Sequence, residues 1–121
     1  MRKYLLHVLI ISFVFLLTPT VPVASYAGEI EDAKEEVRNN PDDARAHYTL
    51  GYAYGNSGKY EEAIESYKQA IRIDPDYAEA HNNLGLAYVL SNDRASALEQ
   101  YEILKNLNTE WANTLYDVIN E

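Results

Sequence analysis

The chain has no cysteine among its 121 residues, and basic residues are scarce, with 10 Lys and Arg against 19 Asp and Glu. Without cysteine there can be no disulfide framework, no thiolate metal site, no cysteine nucleophile and no lipid on an N-terminal cysteine. The formal net charge of −9 argues against binding to nucleic acid or to anionic membrane surfaces, because both select patches of Lys and Arg.

Catalytic motifs are also missing from the sequence. It contains no Gly-rich phosphate loop, no Gly-x-Ser-x-Gly elbow and no His-Glu-x-x-His. Glu61, Glu62 and Glu65 do cluster, but on a face of a predicted helix that should be solvated, whereas acid–base pairs need a sheltered cleft. We therefore predict that the protein is not an enzyme and has no catalytic residue, bound metal or cofactor.

The N-terminal segment lacks acidic residues altogether. A positive start, Met1–Lys3, is followed by a largely apolar run over residues 4–17 and a Pro-containing break over residues 18–22. The run is shorter than the roughly 20 residues that span a bilayer as a helix. Small residues at Ser25 and Ala27 suit a signal peptidase. These features predict a signal peptide.

We place cleavage after Ala27, with Ser25 as the alternative position. The competing interpretation is an uncleaved membrane anchor, which would be the only route to a membrane. Cleavage would export the remaining chain, and a periplasmic or secreted location follows from that prediction.

An internal repeat covers most of the remaining chain. Residues 41–74 align with residues 75–108 without a gap, and 13 of the 34 positions are identical. Self-similarity at a fixed period of this length indicates a helical repeat array. The identical pairs include Pro41/Pro75, His47/His81, Leu50/Leu84, Gly51/Gly85, Tyr54/Tyr88, Ala63/Ala97 and Tyr67/Tyr101.

The spacing of these residues predicts where the helices begin and end. Asn40 and Asp74 each precede a proline, which suits an N-cap followed by Pro in the first helical position. Gly58 is expected in the left-handed conformation that ends a helix, and Asn92 should replace it in the second copy.

Close helix packing is predicted around three small or aromatic positions of each copy. Gly51 should let a second helix approach, with Tyr54 covering the gap. Ala63 is small at a point where two helices must cross.

This combination of residues resembles the tetratricopeptide repeat: a 34-residue period, Leu50-Gly51-x-x-Tyr54, a small Ala63, an aromatic Tyr67 and Pro75 at the end. The resemblance covers residues 41–108 and implies an all-α superhelix that binds other proteins. His47 and His81 depart from it, since a larger aromatic residue is usual there. The second copy also departs at its end, with Leu104 and Thr109.

Two repeats bury too little core to be stable alone, so flanking helices are needed. Ile30, Ala33 and Val37 form an apolar stripe before the repeats. After them, a capping helix with Thr109 as its N-cap should cover the enlarged Leu104. The predicted helices are 29–39, 42–56, 59–73, 76–91, 93–107 and 109–120.

The predicted organisation has five parts. They are a signal peptide (1–27), an N-terminal flanking helix (28–40), the first repeat (41–74), the second repeat (75–108) and a C-terminal capping helix (109–121).

The resemblance implies a concave groove, lined by the first helix of each repeat, that holds a peptide or a helix of another protein. The residues that map to this groove are Arg45, Tyr48, Tyr52, Asn56, Glu79, Asn82, Asn83, Leu86, Val89 and Leu90. The seven that we predict as partner-binding residues are Arg45, Tyr48, Tyr52, Asn82, Asn83, Leu86 and Val89. The alternative for the outward residues of the fourth helix, Leu86, Val89 and Leu90, is packing against the capping helix.

Some relatives use this groove to hold the C-terminal carboxylate of chaperone tails with Lys, Asn and Arg. Here Tyr48, Tyr52, Asn113 and Asp117 replace four of those residues, and Asn83 alone agrees. We therefore exclude that ligand.

Two other functions are also compatible with the sequence. The chain could self-associate through unpaired repeat faces, as a structural protein. A metal or pH-sensing site at His47 and His81 is the least favoured alternative, because both replace a packed aromatic residue and a metal would need further ligands.

Overall fold

The computed structural model describes residues 23–121, and this part of the chain contains six α-helices and no strand. The helices are α1 Val23–Asn39, α2 Ala44–Asn56, α3 Tyr60–Ile73, α4 Ala78–Leu90, α5 Arg94–Leu107 and α6 Thr109–Asn120. Each helix packs on the next one along the chain. The contacts of α2 with α4 and of α4 with α6 add a second layer of neighbours, as in an α-solenoid. The predicted all-α superhelix is confirmed.

α1 begins earlier than predicted. It starts at Val23 and continues without a break to Asn39, with the exposed Gly28 inside it. The predicted apolar stripe is confirmed, since Ile30 and Ala33 are buried. Most of the predicted signal peptide, residues 1–22, lies outside the described residues, and cleavage after Ala27 remains a prediction. Between residues 23 and 121, no helix is long and apolar enough to cross a membrane.

The prediction that Asn40 and Asp74 are N-caps is wrong. Their carbonyls accept hydrogen bonds from the amides three residues on, Asp43 and Tyr77, at 3.2 Å each. Each proline is thus the second residue of a turn, where its fixed φ is favoured. The turn displaces the starts of α2 and α4 to Ala44 and Ala78.

The true caps lie nearer the helices. The Asp43 carboxylate accepts from the Arg45 amide at the start of α2. At α6 the prediction of Thr109 as the cap is also wrong, because the Asn108 side chain accepts from the Trp111 amide at 3.1 Å. The left-handed conformation predicted for the residues that end α2 and α4 is confirmed, since Gly58 has φ +78° and Asn92 has φ +64°.

Two apolar clusters hold the array together. The first joins α3 and α4 through Ala63, Ile64, Tyr67, Leu84 and Ala87. The second joins α5 and α6 through Ala97, Leu104, Ala112, Leu115 and Ile119, and Leu104 and Leu115 are fully buried. The capping helix therefore does cover the enlarged Leu104.

Candidate interaction groove

A mainly apolar pocket opens between α2, α3 and α4, with a volume of about 180 Å³. We call it the groove pocket. Two of its walls remain accessible to a partner, because Tyr52 is 52% exposed and Leu90 is 60% exposed. The lining residues are Tyr52, Gly55, Asn56, Tyr60, Tyr67, Asn83, Leu86, Ala87 and Leu90.

Glycines in α2 leave room for Tyr67, the tyrosine that forms one wall of this pocket. A Cβ atom on Gly51 would lie 2.7 Å from the Tyr67 ring, and one on Gly55 would lie 3.8 Å from the Tyr67 hydroxyl. The Tyr67 ring therefore rests directly on the α2 backbone. The prediction that Gly51 allows close approach is confirmed, but Tyr67 of α3, and not Tyr54, fills the space.

A cluster of tyrosines surrounds Tyr48 beside the pocket. The ring centroid of Tyr48 lies 5.8 Å from that of Tyr67, 5.2 Å from that of Tyr77 and 6.5 Å from that of Tyr52. Aromatic pairs at such distances contribute to stability beyond the area that they bury. The cluster gives the groove a rigid aromatic side.

One hydrogen bond connects this cluster to the second repeat. The Asn83 Nδ2 atom donates to Tyr48 Oη at 3.1 Å. Burial and the nearby Glu79 carboxylate raise the pKa of Tyr48, although the bond from Asn83 opposes that shift. Burial also raises the pKa of Tyr67 and Tyr77. These phenols therefore stay neutral at physiological pH.

The structure brings together four of the seven predicted groove residues. Tyr52, Asn83 and Leu86 line the groove pocket, and Tyr48 contacts Tyr52 and Asn83. Arg45 is exposed, and its charge acts on Tyr77 to oppose the rise in that pKa. Asn82 is half-buried, and its amide donates to the Asn83 side chain at 3.4 Å.

Val89 lies apart from the groove pocket. It packs against the α5–α6 cluster and lines a separate depression with Asn92, Arg94 and Ile119. The predicted alternative of contact with the capping helix therefore holds for Val89, whereas Leu86 both lines the groove pocket and packs on the α5–α6 cluster. It does not hold for Leu90, which is exposed and belongs to the groove pocket.

The two histidines have the same structural role in their repeats. His47 Nε2 lies 2.8 Å from the Pro41 carbonyl, and His81 Nε2 lies 2.7 Å from the Pro75 carbonyl. Since a carbonyl only accepts, Nε2 carries the proton in both rings. Each histidine thus ties a first helix to the turn before it.

His81 makes a second contact. Its Nδ1 atom lies 2.8 Å from Gln100 Oε1, and both residues are buried. Since Nε2 carries the ring proton, this contact is a hydrogen bond when the Gln100 amide is turned so that its NH2 group donates to Nδ1. With both ring nitrogens engaged, His81 has no free position for a metal. Among residues 23–121, no group of three or more His, Asp or Glu could hold a metal ion.

Sequence reasoning missed Tyr67 as a pocket wall and the role of Arg94. The glycines Gly51 and Gly55, spaced four residues apart, could have indicated that an aromatic ring packs directly on α2.

Arg94 Nη1 donates to the Ile119 carbonyl at 2.6 Å, and its guanidinium also contacts Asn120. This contact places a cation at the C-terminus of α6, which the helix dipole favours.

Comparisons with known proteins agree with this geometry. Residues 33–65 match a family model described as tetratricopeptide repeat, and residues 56–92 match one described as TPR repeat. The chain has the tetratricopeptide-repeat fold. No curated protein sequence matches it significantly.

Solved structures of tetratricopeptide-repeat proteins are similar over most of the described chain. The second such domain of human RPAP3, in complex with the HSP70 peptide SGPTIEEVD, is 25% identical with a TM-score of 0.75, covering 81% of this chain and 83% of that one. The TPR2B domain of yeast Sti1 in complex with a pHsp70 partner is 22% identical with a TM-score of 0.71, covering 80% and 84%. The latter likeness concerns the fold alone.

MamA residues 41 to the end from Desulfovibrio magneticus RS-1 are 30% identical with a TM-score of 0.67. The match covers 71% of this chain but only 49% of that one, so this chain spans about half of it.

Proposed function

We propose that this protein is a non-enzymatic interaction module that binds a peptide or helix of another protein in the groove pocket. Tetratricopeptide-repeat domains generally mediate protein–protein interactions, and the similar second domain of human RPAP3 is in complex with an HSP70 peptide. The observation that carries the proposal is an apolar pocket between two repeats whose rim residues, Tyr52 and Leu90, are half or more exposed. Large exposed aromatic and aliphatic residues around a pocket are usual anchors for a partner.

The ligand should differ from the acidic peptide that human RPAP3 binds. A C-terminal carboxylate needs cations, and the corresponding positions here hold Tyr48, Asn113 and Asp117. Asn113 and Asp117 are exposed on α6, and neither provides a positive charge. The groove is therefore suited to an apolar side chain and is unsuited to an anionic tail.

The proposal is tested with a variant that removes the two exposed anchors, Tyr52→Ala with Leu90→Ala. Both side chains extend into solvent, so the fold should survive, whereas truncating Tyr48 would disturb three aromatic contacts. The matched control is Ile103→Ala with Tyr116→Ala, which removes two side chains of similar exposure, 40% and 46%, elsewhere on the surface.

We expect affinity purification from the producing cell to recover a specific partner with the wild type and the control, but not with the groove variant. Circular dichroism should show three equally helical proteins. Recovery of the same partner with the groove variant would show that the pocket is not the binding site.

We further propose that the domain acts outside the cytoplasm, in the cell envelope of a bacterium or as a secreted protein. The support is the N-terminal segment, with its basic start, its apolar run and its small residues at Ser25 and Ala27. Mass spectrometry of the protein from cell fractions should find a mature chain that begins at Gly28 in the exported fraction. A full-length chain in the membrane fraction would support an uncleaved anchor instead.

Self-association remains a second candidate function, since the ends of a repeat array can stack on one another. Sedimentation measurements at high micromolar concentration distinguish the two: a monomer is expected if the groove serves a different protein.

A further inference from the structure

Tyr52 lies between two depressions that differ in the charge of their lining residues. On one side lies the apolar groove pocket, with Leu86 and Leu90. On the other side lies a depression of about 320 Å³ between α1 and α2, and Tyr52 also lines it. Three carboxylates line this second depression: Glu29, Asp32 and Glu36. We call it the acidic depression.

The acidic depression has a concentrated negative charge. Its three carboxylates follow one another at i, i+3 and i+7, which places them on one face of α1. None of them takes part in the three ion pairs found between described residues. The protein around it is acidic too, since residues 23–121 contain 8 basic and 19 acidic residues, a net charge of −11.

The Tyr52 ring is held in place between the two depressions. It stacks on Tyr48 at a centroid distance of 6.5 Å and an interplanar angle of 26°, and half of its surface is still exposed. An ordered tyrosine ring with a free surface next to carboxylates is a favourable environment for an ammonium or guanidinium group, because the ring face attracts cations.

We propose that the partner segment has an apolar side chain, which enters the groove pocket, next to a Lys or Arg, which lies over Tyr52 and against the acidic depression. This inference rests on the proposed function of the groove, and adds the chemistry of the partner. Charge complementarity of this kind selects partners and speeds association, and its effect decreases with salt. A second copy of this acidic chain is a poor candidate for the same surface.

The charge of the partner is tested by NMR titration of the full, isotope-labelled chain with two synthetic peptides. One alternates Leu with Lys, and the other alternates Leu with Glu. We expect the Lys peptide to shift the amide signals of Tyr52, Leu90 and Asp32, and the Glu peptide to shift them much less. The shifts should shrink as the salt concentration rises.

A variant of the acidic depression shows whether those carboxylates cause the preference. Glu29→Gln, Asp32→Asn and Glu36→Gln together should weaken binding of the Lys peptide at least about threefold, as three exposed charge pairs would imply. The control with the same change in net charge is Glu61→Gln, Glu62→Gln and Glu99→Gln, all on exposed positions of α3 and α5. It should lower affinity much less.

The titration distinguishes a wrong partner charge from a wrong binding site. Equal or tighter binding of the Glu peptide in the groove would overturn the inferred basic partner and leave the groove as a binding site. Equal weakening by the two charge variants would also overturn it, because only net charge would then matter. If neither peptide shifts the groove signals, both the inference and the proposed function lose their support.

Discussion

Asn83 Nδ2 donates a hydrogen bond of 3.1 Å to Tyr48 Oη, and this bond joins the first helices of the two repeats. Asn83 lines the groove pocket, and Tyr48 contacts Tyr52 on its rim. The bond thus fixes the two sides of the groove relative to each other. Its geometry makes the groove a preformed site, which reduces the cost of ordering side chains on binding.

A double-mutant cycle measures this bond directly. Tyr48→Phe removes the acceptor and Asn83→Ala removes the donor, and we expect a coupling free energy of about 0.5–1.5 kcal/mol from urea unfolding. Tyr48→Phe combined with Asn113→Ala is the control, because Asn113 is exposed on α6, and its effects should add. A coupling of zero for Tyr48 and Asn83 would show that the bond is absent in solution.

The glycine under the Tyr67 ring should not tolerate a side chain. Gly51→Ala would place Cβ 2.7 Å from a rigid ring that is only 4% exposed, so we expect a loss of stability of about 1–3 kcal/mol. Gly28→Ala is the matched control in α1, where nothing lies within 4 Å. In the chain that retains residues 23–27, where Gly28 lies inside α1, it should stabilise the protein by about 0.5–1 kcal/mol, since Ala favours the helix. Thermal unfolding of both variants gives the comparison, and a stabilised Gly51→Ala protein would contradict the structure.

The two equivalent histidines should differ in their importance. His81→Phe removes the bond to the Pro75 carbonyl and leaves the buried Gln100 amide without its partner, so we expect a cost of about 1–3 kcal/mol. His47→Phe removes only the bond to Pro41 on a more exposed ring, and should cost less than about 1 kcal/mol. Calorimetry compares the variants. Adding zinc to the wild type should leave its melting temperature unchanged; a clear rise would restore the metal hypothesis.

The protein should lose stability in alkali because of its buried phenols. The pKa values of Tyr48, Tyr67 and Tyr77 are raised above the ordinary value of 10.0, chiefly by burial. Below pH 10 these groups are neutral in both the folded and the unfolded chain. Above it the unfolded chain loses their protons first, so the free energy of unfolding falls as the pH rises.

Urea unfolding across that range should show the decrease, and Tyr67→Phe should make it shallower. Tyr116→Phe, an exposed position, should leave the slope unchanged. An identical slope in the wild type and the Tyr67 variant would contradict the assigned cause.

Sequence periodicity predicted the helices well because the fold repeats. Thirteen of the 34 positions of the first copy recur in the second, among them Gly51, Ala63 and Tyr67, so the main packing positions are specified twice. The helix starts were less predictable. Asn40 and Asp74 have good capping side chains, but the proline after each one favours a turn, and the helix begins three residues after that proline.

The groove was only partly predictable from the sequence. Repeat position placed Tyr48, Tyr52, Asn83 and Leu86 on one side, and the structure brings them together. Repeat position predicts Val89 in the groove too, but Val89 packs towards α6. The outward residues of α4 are divided between the groove and the capping helix. That division depends on how the helices cross, which residue spacing within one helix does not specify.

Site-specific photo-crosslinking in the producing cell tests directly whether the groove pocket binds another protein. A photo-reactive amino acid replaces Leu90 at the rim of the groove pocket in one strain, and Ile103 on another exposed surface in a second strain. We expect a discrete crosslinked partner from position 90 that is absent from position 103. A partner that crosslinks equally at both positions, or only at position 103, would contradict the assignment of the groove as the binding site.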